Sequence, residues 1–530
     1  MNLIPIYLIF IPIIFSIIIY VLANKYINCL VFISQGIISI AIASYYNFIK
    51  ANGVHEILIG GWNKNIGICL KNDNLSISFI LLSVFIWWTI LIYSWNKKRE
   101  NYKFWFFLLF LEGAFLGLLQ TNDLFNFFIF LEIITIVSSI LIIYKRDGRS
   151  VRAGLYYLLF NSSGMIFFLV SLIALYMTTG TLNMDIMSQR IALINNTYGI
   201  RFSYILIIAS LGVKSAFFPV YNWLPKAHGA APSSISALLS GLLVKSGLYG
   251  FIRINQIFNI NTPSNLFFLL GFLTALSGVI FALSQKDIKQ ILAFHTISQI
   301  GIILMGLSAM QGKQYYGGLL HIFNHAIFKV LLFLGAGIII NRYNTKNIFK
   351  IRGVFRALPF TAVFLSIGML SITGSPFFNG FVSKSLIKYS LKGNNLKMLM
   401  VYIVNLGTII SFVKLSQIFF GTSNVEKKKI TLCNFSLLIL AVMCILLGNL
   451  YIPIAEKLWN IDLSYIKIFN IKSWLQYLLS LGIGYIIYKK IIAKDLNFIK
   501  KIRHTTISFE TANMMLVMFI FIMIIWCVLI

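Results

Sequence analysis

Ser203-Tyr204-Ile205-Leu206-Ile207-Ile208-Ala209-Ser210-Leu211-Gly212-Val213-Lys214-Ser215-Ala216-Phe217-Phe218-Pro219 decides how this chain folds. The run is apolar or small up to Val213, then places a lysine, and soon after it a proline. It has no polar face to turn toward water, so it reads as a membrane helix. A charge at the centre of such a helix costs roughly 2.5–3.5 kcal/mol on insertion scales and persists where it is paired or used. Proline removes a backbone donor and interrupts the helical ladder. Exposed backbone at that depth is tolerated only inside protein or along a wet cavity.

A second segment of the same kind lies further along. Ile372-Thr373-Gly374-Ser375-Pro376-Phe377-Phe378-Asn379-Gly380 interrupts an apolar run and is followed by Lys384. A simple kink explains either one alone. Two interrupted helices, each with a lysine, in corresponding parts of two halves point to a transporter built from inverted repeats. The expected breaks fall at Pro219 and at Gly374 and Pro376.

Composition agrees with a membrane location. The 530 residues are 59% hydrophobic and only 11% charged, with a mean hydropathy of +0.87, against roughly 25% charge in a soluble domain. About sixteen apolar segments are legible, near 3–22, 27–48, 75–95, 104–121, 124–144, 153–178, 203–221, 232–252, 265–284, 290–309, 317–340, 358–392, 398–420, 431–451, 473–488 and 512–530. They are numbered below as spans one to sixteen. The expected fold is an all-α polytopic membrane protein of about 14–16 transmembrane helices, with spans seven and twelve broken. The first segment lacks a basic leader and a small-residue cleavage site, and reads as a retained helix.

The net charge of +30 is a matter of topology rather than nucleic-acid binding. Connections 96–103, 145–152, 285–289, 341–356, 425–430 and 489–504 are basic, and alternation puts them all on one side. Connections 49–74, 179–202, 254–264 and 452–472 on the other side are less so. The positive-inside bias places the basic set in the cytoplasm and both termini outside, with attraction to anionic lipid headgroups as a further consequence. Cys29, Cys69, Cys433, Cys444 and Cys527 are scattered without a CxxC spacing, which argues against a disulfide framework, an iron–sulfur cluster or a zinc site. No cofactor and no redox centre is expected in this chain.

The ionisable residues inside the spans carry the functional signal. Glu132 sits in an apolar run of the fifth span, and its natural partner is Lys214. A closed Glu132–Lys214 pair keeps both groups charged. An open pair favours the neutral amine, since burial penalises the charged form. The alternative is a static ion pair that joins two helices. His321, His325 and Lys329 recur every four residues along one face of the eleventh span. Two histidines so spaced suit a metal, but no third ligand is near in sequence and Lys329 repels a cation. A hydrated proton wire fits better, because imidazole accepts on one nitrogen and donates from the other. Structural histidines are the alternative. Lys245 in the eighth span, after a loop with Lys226 and His228, suits a relay. Glu112, Lys329, Lys414 and His228 are auxiliary candidates, Glu112 as a cation ligand or second lysine partner.

These residues stand in motifs that together resemble the antiporter-like subunits shared by respiratory complex I, Mrp-type cation/proton antiporters and group 4 membrane-bound hydrogenases. The motifs are Asn122-Asp123-Leu124-Phe125-Asn126 through Glu132, Val213-Lys214 through Pro232, Ser236 through Lys245, Gln285-Lys286-Asp287-Ile288-Lys289-Gln290-Ile291-Leu292-Ala293, His321 through Lys329, and Asn379-Gly380-Phe381-Val382-Ser383-Lys384. The resemblance runs from about Asn122 to Phe420. It implies helices one to three over 1–103, a first five-helix repeat over 104–252, a second, inverted one over 265–420, and C-terminal helices over 421–530. It implies that Glu132 pairs with Lys214, that Lys245 connects the halves, that His321 and His325 bridge the eleventh span, and that Lys384 is the terminal exchange group. Lysine at 384 and glutamate at 132 suit the D-type Mrp subunits, whereas Lys226 through Pro232 looks more like the hydrogenase-type subunits. Many members carry Asp where this chain has Lys226. The implied partners are other membrane subunits of a multisubunit antiporter or redox complex, with protons and Na+ or K+ as the moving ions. The implied location is the bacterial cell membrane.

Overall fold

Helix starts are where a membrane chain must meet its unpaired backbone N–H groups with side chains, and among the described residues eight helix starts are marked in that way. Asp73, Asp123, Asp147 and Asp287 each accept from a backbone N–H two or three residues on, and Asp73 forms a reciprocal capping box with Ser76. Asn101, Asn183, Asn394 and Asn470 cap in the same manner.

The computed structural model describes residues 3–23, 26–95, 101–194, 198–258, 264–423, 425–426, 431–463 and 470–529. The basic runs at 97–99 and 427–429 lie outside the described residues. Among those described, thirteen helices are long and apolar enough to cross a membrane. The other three segments read from the sequence are Ile471–Ile487 and the two broken spans. The protein is therefore an all-α polytopic membrane protein. One two-stranded hairpin, His55–Leu58 with Cys69–Asn72, decorates the second connection. Gly60 and Gly61 lie in its loop at φ +75° and +72°, the left-handed region that glycine enters at no steric cost.

Both expected breaks are present. The seventh span is helical over Tyr198–Lys214, loses the helix, and resumes over Trp223–Ala230. The helix ends at the lysine itself, ahead of Pro219. The twelfth span is helical over Pro359–Thr373 and again over Asn379–Ser390. Gly374 stops the first half in a left-handed conformation at φ +79°. In a continuous helix the Ile372 carbonyl would accept from the N–H of residue 376. That residue is Pro376, which has none, so the sequence itself orphans this carbonyl.

The two halves carry matching parts. Leu124–Ile143 and Ile288–Leu307 are each capped by an aspartate, and each is followed by a helix of 32 residues, Gly148–Thr179 and Gly312–Tyr343. Each capping aspartate forms an isolated antiparallel bridge beyond the end of its long helix, Asp123 with Asn183 and Asp287 with Asn347. Counting spans, the first bridge follows spans four and six and the second follows spans nine and eleven, so the two lie at opposite ends of the bundle.

The eighth span, Ser233–Phe258, is buried without interruption over 234–252 and contains one π-helical turn at Leu239–Leu243. The eleventh is buried almost as completely. The interior of the bundle is thus built from the segments that carry Lys245, His321, His325 and Lys329.

Candidate functional site

Among the described residues six lysines are buried: Lys214, Lys245, Lys289, Lys329, Lys384 and Lys414. Each points its ammonium at a backbone carbonyl, and among the described residues none forms an ion pair with a carboxylate. Lys214 Nζ donates to Leu131 O at 3.2 Å and to the Thr135 hydroxyl. Lys245 Nζ donates to Ser240 O, within the π-helical turn. A widened turn of this kind is frequent at functional sites. Lys289 Nζ donates to Ala231 O at 2.7 Å, Lys329 Nζ to Leu292 O at 2.5 Å, and Lys384 Nζ to Ile372 O at 2.5 Å.

The carbonyl met by Lys384 is the one that Pro376 leaves orphaned, so break and lysine complete each other. Asn405 Oδ1 accepts a second bond from Lys384 at 2.9 Å. Lys214 and Lys329 share another device. Thr135 bonds back to Leu131 O, and Thr296 to Leu292 O, each four residues earlier, so each lysine docks on a carbonyl that a threonine already supports.

Glu132 lies apart from Lys214. The carboxylate accepts from Ser162 Oγ at 3.1 Å through one oxygen, while the other is buried without a partner. Thr135, which Lys214 holds instead, lies one turn along the same helix from Glu132, so the structure does not form the Glu132–Lys214 ion pair expected from the sequence. Glu112 is fully buried and accepts from Gln35 Nε2 of the second span. A glutamine thus fills the place where the sequence suggested a lysine. Lys414 donates to Ala282 O, Leu283 O and Gln285 O at 3.0, 2.7 and 2.8 Å, closing the C-terminal end of the ninth span as cations do at helix ends.

The histidines divide into two kinds. His321 is held on both sides, with Nδ1 at 2.8 Å from Ser383 Oγ and Nε2 at 3.0 Å from Gln299 Oε1. Ser383 is next to Lys384 in the chain, so the His321 ring is tied to the helix segment that carries Lys384. His325 stacks near His321 with ring centroids 6.5 Å apart, and both its ring nitrogens are buried without a partner. Lys245, Lys329 and His321 lie within electrostatic reach of His325. His228 also lacks partners for both nitrogens and stacks on Phe333 at 4.6 Å, a ring that Lys329 approaches at 5.5 Å. Among the described residues no three His, Cys, Asp or Glu side chains cluster as metal ligands.

Two members of this interior were not foreseen. Lys289 falls in a connection read as a basic loop. In the structure the tenth span begins at Ile288 and Lys289 turns inward toward Ala231 and Ser236. His295, on the same helix, is fully buried with both nitrogens unpartnered. The signal for it was a lone histidine inside an apolar run. A hydrogen bond of 2.8 Å between Ser240 and Thr296 joins this helix to the eighth span beside Lys245. At the other end of the row, Lys384 borders a cavity of about 390 Å³ that Lys388, Asn405, Gln476 and Tyr477 also line. Tyr477 comes from the fifteenth span, where its hydroxyl lies 2.9 Å from Thr373 at the helix break.

Residues 121–411, more than half of the chain, match the family described as NADH:quinone oxidoreductase/Mrp antiporter, TM. The chain is 33% identical over 340 residues to the D-type Na(+)/H(+) antiporter subunit of Alkalihalophilus pseudofirmus, a match covering 63% of this chain and 69% of that protein. In three dimensions it is similar to a chain of the membrane-bound sulfane sulfur reductase, an archaeal respiratory membrane complex. The TM-score is 0.80, with 26% identity and coverage of 93% of this chain and 99% of the other. A chain of the Mrp complex from Dietzia shares the fold with a TM-score of 0.78 at 21% identity, covering 95% of this chain and 99% of the other.

Proposed function

The chain belongs to the NADH:quinone oxidoreductase/Mrp antiporter transmembrane family, and on that premise we propose that it is the proton-conducting membrane subunit of a multisubunit Na+ or K+/proton antiporter. The observation that carries this reading is the row of buried lysines and histidines whose partners are neutral carbonyls, hydroxyls and amides. A structural lysine in a membrane would be expected to pair with a carboxylate. A lysine on a carbonyl can give up its proton without leaving a buried anion unpaired.

Protons are taken up on the side of the basic connections, which is the cytoplasm, and both termini lie outside. The proton reaches Lys245 by way of Lys289 and the Ser240–Thr296 contact, then passes His325 and His321 to Lys384. It leaves through the cavity beside Lys384. The unpartnered nitrogens of His228, His295 and His325 are the places where internal water completes this wire, since buried polar groups without protein partners are met by water. Closing and opening of the Glu132–Lys214 pair changes the charge at one end of the row and gives the transfer direction. The two halves act as inverted five-helix repeats, supported by the matched aspartate bridges and long helices. The chain works with other membrane subunits.

The likeness to a respiratory complex favours a second reading, in which the same row is driven by electron transfer in partner subunits. The two are separated in inverted vesicles that contain the chain and its neighbouring subunits. Collapse of a pH gradient on adding Na+ or K+, abolished by Lys214→Ala, is the outcome expected of an antiporter. An intact complex that responds to neither cation would overturn that reading in favour of the redox-driven one. Normal proton exchange in Lys214→Ala would sink the coupling role given to the Glu132–Lys214 pair.

A further inference from the structure

Tyr156, in the sixth span, has a hydroxyl that is buried without a hydrogen-bond partner, and its side chain lines a cavity of about 540 Å³. Arg149, Arg152, Lys226 and Lys346 line the same cavity. These residues come from connections after the fifth, seventh and eleventh spans and from the helix ends beside them, all at the end of the bundle where the basic connections lie. Four cations thus face one acid, Asp287. That carboxylate is already engaged, since its Oδ1 accepts from the backbone N–H groups of Lys289 and Gln290.

Among the described residues none of the four cations forms an ion pair. Lys226 Nζ donates to Ile507 O at 2.8 Å and lies 3.6 Å from the centre of the Tyr156 ring. Lys346 Nζ donates to Gly229 O at 2.7 Å. Both partners are uncharged. Arg149 and Arg152 are exposed and have neither an ion pair nor a hydrogen bond among the described residues. Two free guanidinium forks and two ammonium groups around one cavity suit a tetrahedral oxyanion, which arginine meets with parallel N–H···O bonds. The volume is in the range of small-ligand sites.

The cavity has an apolar flank in continuity with it. Val151, Leu155 and Leu159 are exposed, four residues apart on the helix that carries Arg152 and Tyr156, so they form a stripe climbing from the cavity along the lipid-facing surface. Basic pockets between helices at the cytoplasmic surface recognise anionic headgroups. We propose that this cavity binds a phosphate group, with an anionic phospholipid as the source whose acyl chains lie on the Val151–Leu159 stripe. The site stands one residue from Ala231, whose carbonyl receives Lys289, so the bound anion sits over the outer end of the buried lysine row.

The test uses the full chain purified with its neighbouring subunits in a neutral detergent. Dioctanoyl phosphatidylglycerol, dioctanoyl phosphatidylcholine and inorganic phosphate are titrated separately, with binding read from the rise in melting temperature. The expected result is saturable binding of phosphatidylglycerol that weakens at least tenfold in R149Q/R152Q and is unchanged in K489Q/K490Q, which removes equal charge elsewhere. Displacement by inorganic phosphate identifies the phosphate group alone as the ligand, and failure of displacement identifies the lipid. Either outcome upholds the site. Equal binding of phosphatidylcholine, an unchanged affinity in R149Q/R152Q, or an equal loss in K489Q/K490Q would overturn it. If R149Q/R152Q does not survive purification, R152Q removes a single guanidinium fork, and unaltered phosphatidylglycerol binding in that protein overturns the proposal as well.

Discussion

Replacing Lys384 in two ways separates its chemistry from its structural role. Lys384 holds Ile372 O, the carbonyl for which Pro376 supplies no N–H, together with Asn405 Oδ1. Lys384→Met removes both donors. A buried acceptor left without a partner costs about 1–3 kcal/mol. Asn405 is only half-buried beside the cavity and can turn to water, so the loss falls mainly on Ile372 and a total of about 1–3 kcal/mol is expected. Lys384→Arg keeps donors and charge, and the adjoining cavity of about 390 Å³ leaves room for the longer side chain. Its stability should stay within about 1 kcal/mol of the parent. Arginine, however, does not release its proton in proteins. Both variants should therefore lose proton transfer, by at least about 100-fold, the low end of what a positioned proton-transfer group contributes. Only Lys384→Met should melt earlier. The assay is cation-triggered collapse of a pH gradient in inverted vesicles, beside thermal denaturation of the purified complex. A Lys384→Arg protein that moves protons at more than half the parental rate would refute the assignment of Lys384 as a station that protonates and deprotonates.

Three further outcomes are expected. Ser383→Ala removes the group that holds His321 Nδ1 and should slow proton transfer at least about tenfold through misplacement of the ring, with Ser383→Thr restoring the rate; equal rates in both would place His321 off the path. Lys414→Met uncovers three carbonyls at the end of the ninth span, of which only that of Ala282 is fully buried and the other two can turn to water, and should lower stability by about 1–3 kcal/mol while transport per folded molecule stays within about twofold; transport lost without a change in melting temperature would move Lys414 into the row. Asp495 is clasped by Arg503 and by Lys286 at 2.6 Å, and the Arg503 and Lys286 bonds hold its carboxyl well below the usual carboxylate range. A depressed acid contributes stability that is fully present above its unfolded value of about 3.9 and is lost as pH falls through the folded value. Asp495→Asn should therefore lower the melting temperature equally at pH 6 and pH 9, and a pH-dependent difference across that range would contradict the clasp.

The fold was legible because the residues that break it are also the residues that declare it. Gly374 and Pro376 announce a stop in any context, and Lys214, Lys245, Lys329 and Lys384 stand out against apolar surroundings. Lys289 did not stand out. It follows Lys286 and Asp287, and three charges in four residues read as a solvated connection. Only packing of the tenth span against Ala231 and Ser236 turns it inward. The separation of Glu132 from Lys214 was equally beyond the sequence, which gives complementary charges but not which of two arrangements holds them. The glutamine opposite Glu112 has the same origin, since Gln35 lies far away in the chain and only helix packing brings it there. The hairpin over 55–72 had a signal in Gly60-Gly61, outweighed by the all-helical composition around it.

Spacing along the row bears on whether it conducts or merely stores protons. His321 and His325 have ring centroids 6.5 Å apart. Two unit charges at that separation repel by about 2.5 kcal/mol at an effective dielectric of about 20, which is close to about two powers of ten in occupancy. On the proposed path the two rings would therefore not hold protons together, and a proton arriving at His325 would displace one already on His321 toward Ser383 and Lys384. The same arithmetic explains the carbonyl partners of the lysines. A carboxylate at contact distance would add a larger attraction of opposite sign and fix each ammonium in place, whereas a carbonyl dipole leaves the balance between charged and neutral amine open to the charge on the next station. Converting one neutral partner into an acid is thus the most informative single change. Thr296→Asp, beside Lys329 and Ser240, should trap a proton in mid-row and stop transport while leaving the helices assembled. Undiminished transport in that protein would mean that protons do not pass the eighth and tenth spans at this level.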